Sequence, residues 1–408
     1  LPGRLAAVRG ERAAGLRGAA RAAAEALAVH GAPASEEDLD AVAGPGAGAA
    51  ARAIARAGLA SGRQDGRIAI DRAVAASVRG GMDAARARDL HAAWAGWIGR
   101  SRGPEHLALT HAALAGEAGR AAGPALEAVK RLRALGDAAA AERLLRAVDG
   151  GLGGKGDRAA AVKAELAEIL VETGRPKEAI GVLEAADPEA AGIAIGRARA
   201  LAAAGRRQEA AAILEGIAGE DWRALADLAL IRIHEGRYAE AREIADRAIG
   251  GGREIGEADR AGIACTRALS FLYEERLEEA ASESGQALAM AARIHDARLR
   301  TRAHWIAAMI HQRRAALFEA AASYRQAIDI SLKTDDTGSL ATLHANLGSL
   351  LHRLGEFEEA MDRYLGAMDY ARAAGRADQA VLARVNLGHL MASIGLVERA
   401  GIEGERAL

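Results

Sequence analysis

The stretch LHRLGEFEEAMDRYLGAM, residues 351–368, decides the fold. A helix closes at Gly355, a short turn follows, and Ala360 opens the contact face of a second helix. Aligned on that alanine, equivalents recur at Ala141, Ala179, Ala210, Ala241, Ala280, Ala320, Ala360 and Ala400, with spacings of 38, 31, 31, 39, 40, 40 and 40. The residue five before each alanine is Gly136, Gly174, Gly205, Gly236, Glu275, Ala315, Gly355 and Gly395. A helix stops there in a left-handed residue, which glycine adopts without Cβ strain. In the unit 341–372, Leu347, Gly348 and Leu351 share one face of the first helix, and Ala360, Tyr364 and Ala367 share one face of the second. Small residues at Gly348 and Ala360 let the two helices approach, and the large ones fill the space beside them.

This pattern resembles the tetratricopeptide (TPR) unit, with His344 in its first aromatic slot. The match is good over 341–372, fair over 222–248, 301–327 and 381–408, and loose over 122–218. The usual TPR period is about 34, so a spacing of 40 implies helices roughly one turn longer. The expected fold is all-α: a TPR-like α-solenoid, a right-handed superhelix of about eight to nine helix pairs over 104–408, the last one truncated. One further pair is expected ahead of the repeats, around EHLALTHAALAGEAG (105–119).

Composition agrees. The chain has 408 residues, too many for one compact core, and it is 50% hydrophobic but only 3% aromatic. Its apolar residues are mainly Ala and Leu, which favour helix over strand. Charged residues make up 27% and balance to −1, which excludes a disordered chain and a general nucleic-acid coat. The single cysteine, Cys265, excludes a disulfide framework and a multi-cysteine zinc site. It reads as a packed thiol rather than a nucleophile. No apolar run reaches membrane-spanning length, and no signal peptide precedes the first helix. We expect a cytoplasmic piece of a longer protein, with no membrane partner.

Residues 1–100 differ from the repeats. Residues 1–103 carry fifteen Arg against ten Asp and Glu, a local net of +5. Helical stretches are expected at 4–9, 17–30, 36–43, 47–57 and 83–98, with Ser35 and Asp38 as a capping box. Asp65-Gly66 is a hairpin-turn dipeptide, and Arg67-Ile68-Ala69-Ile70 alternates as a strand does. Three helices, a hairpin and a closing helix make a small winged-helix domain at 1–100. A boundary is expected near Gly99–Pro104, and at least one of Trp94 and Trp97 should be buried against the first repeat pair.

The whole chain resembles the segment that follows the nucleotide-binding module in bacterial STAND and AAA-type signalling ATPases, including the maltose-activator (MalT) kind. Leu1-Pro2, Leu5, Arg88-Asp89-Leu90-His91 and Ala115-Gly116-Glu117 hold the positions of the family's short motifs. The resemblance implies a non-enzymatic sensor and scaffold region. It would bind a protein, peptide or small inducer and relay the event to an upstream NTPase in the same chain. One departure stands out: where the family places a phosphate-sensing histidine after the wing, this chain has Asp71, followed by Arg72. Two other readings remain. One is a plain TPR adaptor; the other is a DNA-binding regulator acting through the winged helix. The second is disfavoured, because helix 47–57 offers only Arg52 and Arg56 to base edges.

No GxxxxGK[ST] occurs, so no phosphate cradle is expected here, and no cofactor is implied. GLGGKG at 151–156 lacks a preceding strand and a following Ser or Thr, and reads as a loop. His304 and His311 lie two turns apart, too far to chelate one ion, and no metal site is expected.

In such solenoids the first helix of each pair lines the groove. Numbering each repeat from nineteen residues before its alanine, the groove candidates are Arg302, Trp305, Met309, Thr342, Ser349, His352 and His389. Asn346 and Asn386 share the sixth position, where the resemblance implies a hydrogen bond to an extended ligand's backbone; Asp227, Thr266 and Ile306 are their earlier equivalents. An amide can donate and accept at once, which suits one peptide unit. Trp305 reads equally as a groove anchor and as packing between repeats.

Overall fold

The computed structural model describes residues 8–405 except 10, 155, 189, 191, 220, 251–254, 295 and 335. Leu1-Pro2, Leu5 and most of the 4–9 stretch lie outside the described residues, as do His295 and Lys155 of the glycine-rich loop.

Chain contacts divide the protein into two compact units. The first comprises Leu1–Lys130 with Ala139–Val162, and the second Arg131–Ala138 with Lys163–Leu408. The Gly99–Pro104 turn lies inside the first unit.

The first unit opens with α1 (Gly18–His30), α2 (Glu36–Ala43) and α3 (Ala47–Arg56). Ser35 and Asp38 form the expected capping box: Ser35 Oγ accepts from the Asp38 amide at 3.1 Å, and Asp38 Oδ2 accepts from the Ser35 amide at 2.8 Å. Strands β1 (Ala60–Gly62) and β2 (Ile68–Ile70) pair antiparallel with Ala60 opposite Ile70, and Ala34 bridges Ile68 from the other side. Gly66 turns the hairpin at φ 78°, while Asp65 Oδ1 accepts from the Arg67 amide at 3.1 Å.

Helix α4 (Arg72–Gly80) follows the hairpin, with Arg72 exposed at its start. Its signals are short but present: Asp71 caps it through the Ala73 and Val74 amides, and Val74 and Val78, four apart, are buried. Helix α5 (Ala84–Arg100) follows, then α6 (Glu105–Ala112), a π-turn at Ala113–Glu117 with Gly116 at φ 101°, and α7 (Ala118–Ala134). Trp94 is buried as expected of at least one of the pair, and its ring lies 6.0 Å from that of His111 in the first repeat pair. It packs with α1, stacking on His30 at 3.9 Å and donating to the Ala26 carbonyl at 3.0 Å.

From α7 onward, helical hairpins succeed one another. They are α7/α8 (Ala138–Leu152), α9 (Asp157–Glu172)/α10 (Pro176–Glu184), α11 (Ile193–Ala203)/α12 (Arg207–Ile217) and α13 (Trp222–His234)/α14 (Tyr238–Gly250). Then come α15 (Glu257–Tyr273)/α16 (Leu277–Ile294), α17 (Ala297–Arg313)/α18 (Leu317–Lys333), α19 (Thr337–Leu354)/α20 (Phe357–Ala373) and α21 (Ala377–Ser393)/α22 (Val397–Glu405). Among the described residues the protein is thus all-α apart from one hairpin, and its second unit is a TPR-like solenoid.

The spacing rule holds in the helices themselves. Where alanines recur every 31 residues, helices run 9–13 residues; where they recur every 40, they run 17–18. The key alanines from Ala141 to Ala360 are all at most 1% exposed. Every residue of the turn slot has positive φ, including the two that are not glycine, Glu275 at 59° and Ala315 at 58°. The slot is therefore a left-handed helix stop imposed by the hairpin, and glycine is its least strained occupant.

Gly136 and Gly174 carry a second constraint. Within the second unit the solenoid comes back on itself. A Cβ at Gly136 would collide with the Thr334 carbonyl oxygen, and one at Gly174 would meet that of Ala374 at 2.7 Å. Arg298 reaches Glu172 across the same seam. At Gly355 a Cβ would meet open space. Gly355→Ala should therefore cost only the left-handed backbone penalty, about 1–2 kcal/mol. Gly136→Ala should cost clearly more, because a carbonyl must also move. Equal melting temperatures for the two variants would show that the seam contributes nothing.

Candidate functional site

First helices of successive pairs touch one another as well as their own partners: α11 with α13, α13 with α15, α15 with α17, α17 with α19, and α19 with α21. They form one continuous inner layer, and this layer holds every groove candidate.

In the C-terminal pairs, Trp305 is half-buried and packs against the cores of two successive pairs, with its indole N–H unpartnered among the described residues. Met309 is half-buried beside it. Asn346 and Asn386 are half-buried, and Leu347 and Leu387 next to them are core. Thr342 is also half-buried, and His389 is exposed. Two candidates are tied down by neighbours. Ser349 Oγ accepts from the Tyr364 hydroxyl at 3.1 Å, and His352 Nε2 lies 2.9 Å from Ser393 Oγ on α21. The sixth position changes character along the solenoid. Ile306 is fully buried and Thr266 nearly so, whereas Asp227, Asn346 and Asn386 keep partial access to solvent.

His344 occupies its aromatic slot as a buried ring, tilted against Tyr370 at 5.1 Å. Gly366 makes room for it, since a Cβ there would lie 2.9 Å from Nδ1. Among the described residues both ring nitrogens lack partners, and burial, helped by Arg363, lowers the imidazole pKa to about 4. An aromatic hydrocarbon would avoid two unsatisfied polar atoms. We expect His344→Phe to stabilise the protein by about 1 kcal/mol, read as a rise in urea midpoint; a fall would mean the ring nitrogens are satisfied in solution.

The charged half of the inner layer was not anticipated as part of the site. Arg133 binds Glu165, Glu168 and Glu172, which stand at i, i+3 and i+7 on α9. Arg199 continues the chain to Glu168 at 2.7 Å and to Asp227 at 2.6 Å. Burial raises the Asp227 pKa, opposed mainly by Arg199. Arg302, a groove candidate on α17, donates to Thr266 Oγ1 on α15 at 3.2 Å, and its charge is felt at Asp227, His234 and Cys265. The i, i+3, i+7 glutamates were legible as one helix face; the arginines that meet them lie on other helices.

The first unit holds a separate cluster that no spacing signalled. His30 Nδ1 lies 3.0 Å from His111 Nε2, and His91 Nδ1 lies 2.7 Å from His111 Nδ1. A neutral imidazole donates through one nitrogen and accepts through the other, so His111 links its neighbours in a directional chain. Burial lowers His111 to about 3, with His30 and His91 adding to the effect, and lowers His30 to about 4. The nitrogens form a line rather than converging. Among the described residues no three His, Cys, Asp or Glu side chains are grouped to hold a metal ion.

Asp71, in the family's phosphate-sensing place, is occupied as the α4 cap and accepts from Arg9 Nη1 at 2.7 Å. Arg52 on α3 is held by Glu36. No helix of the described residues is long and apolar enough to cross a membrane.

Comparison with known proteins adds a family model described as a tetratricopeptide repeat, which matches residues 170–221. That stretch has the 31-residue spacing, nearer the family's period of about 34 than the 40-residue repeats are. No curated protein matches the chain. Among solved structures, the chain is similar to a STAND protein with a tetratricopeptide repeat sensor from Pyrococcus horikoshii, at 17% identity and a TM-score of 0.43. That alignment covers 97% of this chain and 63% of the other, so this chain spans less than two thirds of that protein. It is also similar to a Rap protein complexed with competence and sporulation factor, at 15% identity and a TM-score of 0.47, covering 70% of this chain and 75% of the other. A third is BtubC from P. vanneervenii, at 19% identity and a TM-score of 0.41, covering 57% of this chain and 89% of the other.

Proposed function

We propose that this chain is a non-enzymatic sensor and scaffold region that holds an extended peptide or protein segment along the inner layer of its helix pairs. The observation that carries the reading is the placement of Asn346 and Asn386. They stand at the same register on consecutive first helices, half-buried and with no hydrogen bond among the described residues, so both amides can pair with a ligand's backbone. Trp305 and Met309 supply apolar surface on the preceding pair. A partly exposed indole beside free amides is the composition of a binding hot spot. The STAND-like motifs extend the proposal: residues 1–100 act as a winged-helix module that passes binding to an upstream NTPase. Asp71 serves there as a helix cap rather than as a phosphate contact.

The test uses peptides selected from a displayed random library against the full chain. Asn346→Ala with Asn386→Ala should weaken the selected peptide about tenfold or more, since two lost backbone pairings cost roughly 1–1.5 kcal/mol each. The melting temperature should not change. A matching loss of stability would assign the asparagines to structure instead.

A further inference from the structure

The peptide reading leaves one feature of the inner layer without a task. A cavity of about 260 Å3 opens among α11, α12 and α13, below the usual size of a drug-sized pocket. Its walls are apolar, including Ala198, Ala202, Leu214, Leu230 and Ile231. Its polar lining is Arg199, Arg207, Asp227 and His234. Arg199 and Asp227 are half-buried and committed to each other, with Glu168 as the second partner of Arg199. Arg207 and His234 are exposed and stand at the mouth.

The cations here are not all matched. Arg133, Arg199 and Arg298 each hold carboxylates. Among the described residues Arg207 has no hydrogen-bonding or ion-pair partner, and Arg302 bonds the Thr266 hydroxyl while its charge is felt at Asp227. Both charges are felt at His234, whose imidazole is held below its usual range first by burial and then by these two arginines. A neutral imidazole can still donate one hydrogen bond. The mouth thus presents the Arg207 guanidinium and a ring N–H above an apolar hollow, with the charge of Arg302, outside the lining, felt at His234.

We infer that this cavity is a binding site for a small carboxylate with a short branched apolar body. The body fills the Ala, Leu and Ile hollow, and the carboxylate lies against Arg207 and His234 with the field of Arg302 behind it. A guanidinium matches a carboxylate through paired N–H groups. A phosphate dianion suits the site less, because Asp227 and Glu168 lie close behind the arginines and repel a second negative charge. The carboxylate can arrive as a free acid or as an acidic side chain of a longer ligand. The site does not depend on the asparagines of the C-terminal pairs.

Saturation-transfer NMR of the full chain with 4-methylvalerate tests this, with 4-methylpentanol and inorganic phosphate as comparison probes. The acid should bind in the millimolar range and the alcohol at least fivefold more weakly. Arg207→Gln with Arg302→Gln should weaken the acid at least fivefold. Arg207→Glu alone, at an exposed position, gives the same direction should the double variant melt early. Asn346→Ala with Asn386→Ala should leave the acid's binding unchanged, which separates this site from the peptide reading. Displacement of the acid by Ac-Ala-Glu-Ala-NH2 would assign an acidic side chain as its source, and no displacement would assign a free acid. Equal binding of acid and alcohol, full binding by both arginine variants, or phosphate binding as tightly as the acid would overturn the proposal.

Discussion

Acidification from pH 7 to pH 4 is expected to unfold the first unit before the second. His30 and His111 are held neutral there by burial, with pKa values of about 4 and about 3 against 6.5 for the free side chain. The unfolded chain takes up these protons near pH 6.5, and the folded chain resists them. The stability they permit is therefore complete above pH 6.5. It is lost as pH falls from 6.5 to about 4 for His30 and to about 3 for His111. A one-unit displacement in proton affinity is worth about 1.4 kcal/mol, so the joint loss is on the order of several kcal/mol, comparable with the whole stability of a small domain. The charged groups facing His30 are Asp38 on α2, which favours its protonation, and Arg67 beside β2, which opposes it; His111 faces His30 and His91. Glu25 is paired with Arg21 and Arg86 in the same unit, so the control must leave those pairs in place. Trp94 and Trp97 fluorescence in a Trp222→Phe, Trp305→Phe background reports this unit alone. His111→Phe should flatten the loss between pH 6.5 and 4. An unchanged midpoint across that interval in the parent protein would refute the assignment.

Replacing Arg232 is expected to destabilise the second unit by roughly 3 kcal/mol, the order found when one partner of a buried charge cluster is removed. Its side chain is only 5% exposed, yet it holds three carboxylates: Glu235 at 2.8 Å, Glu240 at 3.1 Å, and Glu215. Glu235 and Glu240 belong to the turn and second helix of its own hairpin, and Glu215 to the helix before. Arg232→Met keeps the apolar stem but leaves three acids facing one another. Arg232→Lys should recover less than half the loss, because one compact ammonium cannot serve three directions as a planar guanidinium does. Urea unfolding at pH 7 measures both. A Met variant as stable as the parent would mean that solvent already screens the cluster.

The repeat was legible because each of its elements is local. A left-handed stop, a small residue five positions on and an apolar stripe at helical spacing are all set within one hairpin. That is why the repeat pattern alone puts Glu275 and Ala315 in a glycine slot, and why both have positive φ. Helix length followed from alanine spacing for the same reason. The capping box at Ser35 and the Asp65-Gly66 turn are local too. The extent of helix α4 was not legible although Asp71 caps it, because its buried face is only Val74, Ala75 and Val78, too short for a period to stand out.

What only the tertiary structure decided are the meetings between distant residues. His30, His91 and His111 are up to 81 positions apart and lie on three different helices. Nothing in their spacing couples them; packing of α1, α5 and α6 does. Gly136 looked like any other turn glycine until the Thr334 carbonyl came to lie against it. The sequence could show that Arg302 shares a face with Trp305, since a helix repeats every 3.6 residues. Which arginines end without a carboxylate depends on how the first helices stack. Arg199 met Asp227 and Glu168, and Arg207 and Arg302 met neither, because helix-to-helix register is settled by packed volume across the solenoid rather than by any pattern within one repeat.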